Sequence, residues 1–238
     1  MRGPYGFDMS ESCLACKGSM SCSFGQLPAK AAKDFNSLKS ISAYPEGAVL
    51  FMECQDPRGV FIVCEGEVKL TISSSEGKTL ILRIAQAGEI LGLMSVLSGK
   101  PYEVTAETLH PCQIAFVRRE DFQQFMAEHP EALQGVVKQL SSNYHGACEQ
   151  LRTVALSTSA PGKLARLLLE WSTEDEETKS GSRVKLHLTH EEIAEFIGSS
   201  RETVTRTLSE FKSRQLVKRK GSTLMISDRA ALESLVSA

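Results

Sequence analysis

The chain has 238 residues, with 27 Lys and Arg against 29 Asp and Glu and 42% hydrophobic residues. That length allows two modest domains, each with its own core, and a net charge of −2 excludes binding to polyanions through overall charge alone. No apolar stretch approaches the ~20 residues of a membrane helix, because residues 79–85 and 164–171 are each broken by a charge.

Residues 1–6 carry no apolar signal segment, so the chain is expected in the cytoplasm, with no membrane partner. Thiols stay reduced there, and seven cysteines, an odd number, argue for metal or redox chemistry over a disulfide framework. Three of them, Cys13, Cys16 and Cys22, fall in one short arm with Gly18, Gly25 and several serines, and no periodic apolar pattern. Such a segment cannot bury a core of its own, and converging thiolates can be ordered by zinc or an iron–sulfur cluster. Both centres want four ligands, so the arm is one short. Cys54 and Cys64 stand in apolar, strand-like text and are expected to be buried structural thiols.

From about residue 44 to residue 117 short apolar runs are punctuated by single glycines. Val68-Lys69-Leu70-Thr71-Ile72 alternates strictly, and a turn at Ser75-Glu76-Gly77-Lys78 leads into Thr79-Leu80-Ile81-Leu82. Hairpin punctuation at this spacing predicts a compact antiparallel barrel or roll. A long helix is expected over about 131–156, where Leu133, Val137, Leu140, Tyr144, Ala147, Leu151 and Val154 recur at alternating steps of four and three. That is a coiled-coil period, weakened by Gly135 and Gly146. The stripe can pack on the chain's own barrel, pair with a second copy, or do both on two faces.

Pro161-Gly162 opens a separate small domain, with a helix over residues 164–169, an acidic loop at residues 174–177 and a strand-like run at residues 183–188. Thr189 and Glu192 form a capping box for a helix that Gly198 ends. Ser199 and Glu202 repeat the box and open a second helix, buried through Val204, Leu208 and Phe211. Arg201, Glu202, Thr205 and Arg206 fall on or beside its polar face. This is helix-turn-helix grammar, with base-reading groups near the start of the second helix. Arginine can donate two hydrogen bonds to guanine, and glutamate can accept from cytosine. Lys218-Arg219-Lys220-Gly221 followed by Leu224-Met225-Ile226 predicts a basic wing hairpin that meets phosphate. Residues 201–220 hold seven basic residues against Glu202 and Glu210. Paired carboxylates, a nucleophile triad and a phosphate loop are absent from the sequence, which argues against an enzyme; a small-molecule-binding module or enzyme subunit is the remaining reading of another class.

The order of barrel, long helix and winged helix-turn-helix resembles the cyclic-AMP receptor and FNR superfamily of bacterial transcription regulators. The resemblance is carried most specifically by residues 200–206, by Gly47, Gly66, Gly77, Gly88 and Gly92, and by the wing. It implies an α+β fold with a cysteine-rich arm (1–35), a cyclic-nucleotide-binding-like β-roll (36–128), a dimerisation helix (129–158) and a winged helix-turn-helix (159–238). It also implies a homodimer on a two-fold site in double-stranded DNA, with RNA polymerase as a partner. DNA contacts are expected from Ser199, Arg201, Glu202, Thr205, Arg206, Lys218 and Arg219. The trio Arg201, Glu202 and Arg206 resembles the cyclic-AMP receptor's reading helix more than FNR's, implying a half-site nearer TGTGA than TTGAT.

Cyclic-nucleotide binders in this superfamily carry a Gly-Glu-Leu turn and an Arg-Ser pair. Here Gly92-Leu93-Met94 and Tyr102-Glu103 stand in those places, so a cyclic phosphate is disfavoured. FNR-type oxygen sensors have a C-x2-C-x5-C arm, which Cys13, Cys16 and Cys22 reproduce, and a fourth cysteine that Cys112 matches. The resemblance therefore implies a [4Fe-4S] cluster on Cys13, Cys16, Cys22 and Cys112, with zinc as the alternative metal.

Overall fold

The structure, a computed structural model, describes residues 4–7, 24–25, 27–156, 159–172, 183–185, 188–220 and 223–237. Cys13, Cys16 and Cys22 lie outside the described residues, as does the acidic run at 174–177. The chain divides into two compact units, residues 1–77 with 82–147, and residues 78–81 with 148–238.

The first unit opens with helix α1 (Ala29–Leu38), followed by strands β1 (Ser40–Tyr44), β2 (Val49–Phe51), β3 (Gly59–Glu65), β4 (Val68–Ser73), β5 (Thr79–Ala85) and β6 (Ile90–Leu91). Helix α2 (Leu93–Ser98), strands β7 (Thr105–Thr108) and β8 (Cys112–Arg118), and helices α3 (Arg119–Glu128) and α4 (Ala132–Leu151) follow. The strands form two four-stranded sheets, ordered β1-β8-β3-β6 and β2-β7-β4-β5. This is the expected β-roll.

The apolar text of β3 has a direct structural cause. Alternate side chains leave a strand on opposite faces, and both faces of β3 are covered. Val60, Ile62 and Cys64 join one core with Ile90, Val96, Ala115 and Val117. Phe61 and Val63 join another with Phe51, Val68, Leu70, Tyr102 and Ile114. Cys64 is buried as expected, whereas Cys54 is exposed. It occupies the corner between β2 and β3 with φ +64, outside the alternation of either strand. The expectation for Cys54 is corrected on that ground.

The first core extends into an aromatic group absent from the sequence reading. Phe24 is 1% exposed and packs on Phe35 at 4.7 Å, Phe125 at 5.8 Å and Phe122 at 6.2 Å between ring centroids. Buried His129 packs against Phe125 in a tilted arrangement and places Nε2 3.2 Å from Asp34 of α1 and Nδ1 3.3 Å from Glu131. These contacts join α1 to the start of α4.

Helix α4 uses two faces. Ala132 and Val136 enter the first core, and buried Gln139 donates to the Ile90 carbonyl at 2.7 Å while accepting from the Ile90 N–H at 3.1 Å. Leu140 packs partly against the same core. Leu133, Val137, Tyr144 and Leu151 of the heptad stripe look outward, 45 to 71% exposed, whereas Val154 is half-buried.

In the second unit α4 runs on through a π turn (Arg152–Leu156) to α5 (Ala160–Glu170), β9 (Arg183–Lys185), α6 (His190–Ile197), α7 (Arg201–Ser213), β10 (Val217–Lys220), β11 (Thr223–Ile226) and α8 (Arg229–Ser237). Strands β10, β11 and β9 form one antiparallel sheet, the expected wing with a third strand. Its core joins Leu164, Leu167 and Leu168 of α5, Ile193 and Ile197 of α6, and Leu208 and Phe211 of α7, all buried.

Candidate nucleic-acid interface and metal centre

The helix-turn-helix is set by local chemistry. Thr189 accepts from the Glu192 N–H while Glu192 reaches back to the Thr189 N–H, the capping box read from the sequence. Gly198, at φ 63 in the left-handed region, closes α6. The next cap differs from expectation. Ser200, not Ser199, accepts from the Thr203 N–H at 3.2 Å. The left-handed Gly198 leaves Ser199 inside the turn, its N–H bonded to the Ala194 carbonyl, so the first residue able to cap is one further on.

Val204, Leu208 and Phe211 bury one stripe of α7, joined by Thr207. Arg201, Glu202, Thr205, Arg206 and Ser209 are exposed. Glu202 is held below the usual carboxylate range, first by its own backbone N–H and then by the Ser200 hydroxyl, so it supports the helix start while remaining at the surface. The Ser209 hydroxyl donates to the Thr205 carbonyl at 2.9 Å. Thr205 donates to the Arg201 carbonyl, also at 2.9 Å, and its oxygen lies 2.9 Å from Nδ1 of His190. His190 went unremarked in the sequence. It sits at the first helical position of α6, and only the angle between the two helices brings it to Thr205. In the wing Lys218 is exposed, flanked by buried Val217. Arg219 pairs with Leu224 along β10 and β11. The arrangement offers an exposed guanidinium pair, a carboxylate and a basic strand, which suits base edges and phosphates.

Cys112 begins β8 and is fully buried. Its thiol donates to the carbonyls of His110 at 3.1 Å and Glu67 at 3.3 Å. Burial pushes its pKa up, so ligation requires that a proton leave. Gly66, at φ +98, gives the sulfur its room, since a Cβ there would lie 2.5 Å from Sγ. The thiol lies in a space that only glycine leaves open, beside the loop at His110 and Pro111. Among the described residues no group of three or more His, Cys, Asp or Glu could hold a metal; the other three thiols of the expected set lie outside them.

At the positions where the resemblance implies an effector-binding Arg-Ser pair stand Tyr102 and Glu103. Tyr102 is 2% exposed, stacks on Phe51 at 4.1 Å, and donates to the Gly59 carbonyl at 2.7 Å. Gly92 makes this fit, because a Cβ there would lie 2.8 Å from the tyrosine ring. Next to it the buried Ser95 hydroxyl donates to Glu103 at 2.8 Å. The replaced residues were legible in the sequence. That the tyrosine turns inward was not, although Gly92 was an available signal.

Two family models match this chain, a cyclic nucleotide-binding domain over residues 41–129 and a Crp-like helix-turn-helix domain over residues 162–235. The CRP-like cAMP-activated global transcriptional regulator of Mycobacterium tuberculosis is 27% identical over 190 residues, 79% of this chain and 84% of that protein. The cAMP-activated global transcriptional regulator CRP of Haemophilus influenzae is 25% identical over 184 residues, 77% and 82% of the two chains. Among solved structures, FixK2 from Bradyrhizobium japonicum superposes with a TM-score of 0.71 at 20% identity, covering 84% of this chain and 98% of that one. A CooA mutant from Carboxydothermus hydrogenoformans gives 0.72 at 22% identity, covering 89% and 91%. These two structures share the fold. Among the described residues no helix is long and apolar enough to cross a membrane.

Proposed function

The chain belongs to the CRP/FNR family of DNA-binding transcription regulators, and from that premise we propose that it senses oxygen or redox state at a four-thiolate [4Fe-4S] centre. Regulators of this family bind DNA and act as dimers, and they are not enzymes. The observation that carries the proposal is the thiol set, in which the C-x2-C-x5-C arm of Cys13, Cys16 and Cys22 is completed by Cys112, buried in the space beside Gly66. A bound cluster supplies chemistry with oxygen and other oxidants. This chain's own residues connect that centre to α4. Phe24 lies two residues beyond Cys22 and is packed among α1 and α3 aromatics, and the Asp34–His129–Glu131 contacts lead to the start of the long helix. Iron and acid-labile sulfide, measured on protein purified without air, test the reading. Stoichiometric iron and sulfide are expected; zinc without sulfide, or no metal, would overturn it.

Cyclic AMP is not the effector in this reading. Tyr102 fills space behind α2, and the Glu103 carboxylate stands where a phosphate needs a cation, a repulsive pairing. Calorimetric titration is expected to show no saturable heat at micromolar cyclic AMP. A saturable isotherm would return the β-roll to nucleotide sensing.

The outward stripe of α4 is the proposed dimer seam. Leu133, Val137, Tyr144 and Leu151 are apolar side chains left exposed along one face, and helices pair through such heptad seams. The seam is a marginal one, interrupted by Gly146 and lined by Ser141 and His145, so a modest input can shift its equilibrium. Sedimentation should give a dimer without air and a lighter species after aeration. Val137→Glu should give monomer in both, since facing like charges cost on the order of several kcal/mol. A mass unchanged by air would remove dimerisation as the switch.

A further inference from the structure

Thr205 has one polar and one apolar end, and its polar end is engaged twice. The hydroxyl oxygen lies 2.9 Å from the Arg201 carbonyl and 2.9 Å from Nδ1 of His190. A carbonyl only accepts, so the single hydroxyl proton goes to Arg201 and the oxygen accepts from the imidazole Nδ1–H. The bond to Arg201 alone means little, because threonine in a helix commonly bonds back one turn and splits between two rotamers. The bond from His190 is different. It comes from the other helix of the motif and selects the rotamer that holds the hydroxyl against α6, leaving the γ-methyl as the end of this exposed side chain without a polar tie.

A threonine methyl is a recognised apolar partner for the 5-methyl of thymine. Resting on the DNA-reading role of α7, the geometry points to Thr205 as a reader of a thymine methyl, with His190 as the positioning residue that keeps the hydroxyl turned in. Four residues of α-helix rise about 6 Å, against about 3.4 Å per base step. The thymine therefore falls within about two base pairs of the guanine claimed by Arg201.

The experiment compares duplexes that differ only in thymine or deoxyuridine at each half-site position, bound by wild type, Thr205→Val, Thr205→Ser, His190→Ala and His190→Asn. Wild type should prefer thymine about four-fold at one such position, the worth of one buried methyl group. Thr205→Val should keep that preference and Thr205→Ser should lose it. His190→Ala should reduce it, and His190→Asn, whose amide nitrogen can take the place of Nδ1, should restore it. Wild type that requires the guanine yet binds thymine and deoxyuridine alike overturns the inference and leaves the DNA-reading role standing. Preference retained by Thr205→Ser also overturns it, and preference unchanged in His190→Ala overturns the positioning role. Wild type without any sequence-selective binding overturns the DNA-reading role and the inference together.

Discussion

Cys112→Ser is expected to abolish the four-iron cluster in protein reconstituted without air, with complete loss of its visible absorption. Cys13→Ser, Cys16→Ser and Cys22→Ser should do the same, while Cys54→Ser and Cys148→Ser should retain it. The Cys112 variant is informative because serine can occupy the site without wrecking the roll. The native thiol donates to the His110 and Glu67 carbonyls, and a hydroxyl can make the same bonds. The stability change should stay near the ~1 kcal/mol of an ordinary hydrogen bond, so thermal unfolding of the metal-free variant should nearly match wild type. Loss of cluster with a preserved fold then reports ligation. A full four-iron cluster on Cys112→Ser would refute the ligand assignment. Cys64→Ser should retain the cluster as well, and since Cys64, like Cys112, is buried in a core, it controls for the effect of serine at a buried thiol.

Arg201→Ala is expected to relax one guanine in each half-site. Wild type in a randomised-site selection should return a two-fold site nearer TGTGA than TTGAT, because the exposed Arg201 guanidinium can claim a guanine through two hydrogen bonds. Losing that bidentate contact should remove about 1–3 kcal/mol of discrimination, roughly five- to 160-fold, at that position. Lys218→Ala should act differently. Its ammonium, exposed on β10, meets phosphate in this reading, so all sequences should weaken alike and the salt slope should fall by about one. Equal stringency at the same half-site for wild type and Arg201→Ala would make Arg201 a phosphate clamp or a bystander.

How much of this molecule is written locally follows from the range of the forces involved. The capping box of Thr189 and Glu192, the left-handed stop at Gly198 and the buried stripe of α7 depend on residues within one or two turns of one another. The sequence alone therefore determined the helix-turn-helix, and the hairpins of the wing and the roll in the same way. It also determined the heptad stripe of α4 and the thiol spacing of the arm.

Tertiary structure decided what each stripe and side chain faces. Ala132, Val136 and Gln139 are turned to the roll and Leu133 and Val137 to the outside, a choice between two apolar faces that only the placement of α4 on the first core makes. The cap moved from Ser199 to Ser200 because the turn after Gly198 consumed a residue. Cys54 came to the surface on a left-handed corner, and Phe24 entered a core built from residues up to about a hundred positions away. Tyr102 turned inward because Gly92 leaves room for its ring and the Gly59 carbonyl accepts from its hydroxyl, and His190 met Thr205 across the angle of two helices. Each of these outcomes is a packing or hydrogen-bond choice between groups far apart in the chain, and a local pattern of residues holds no information about such a partner.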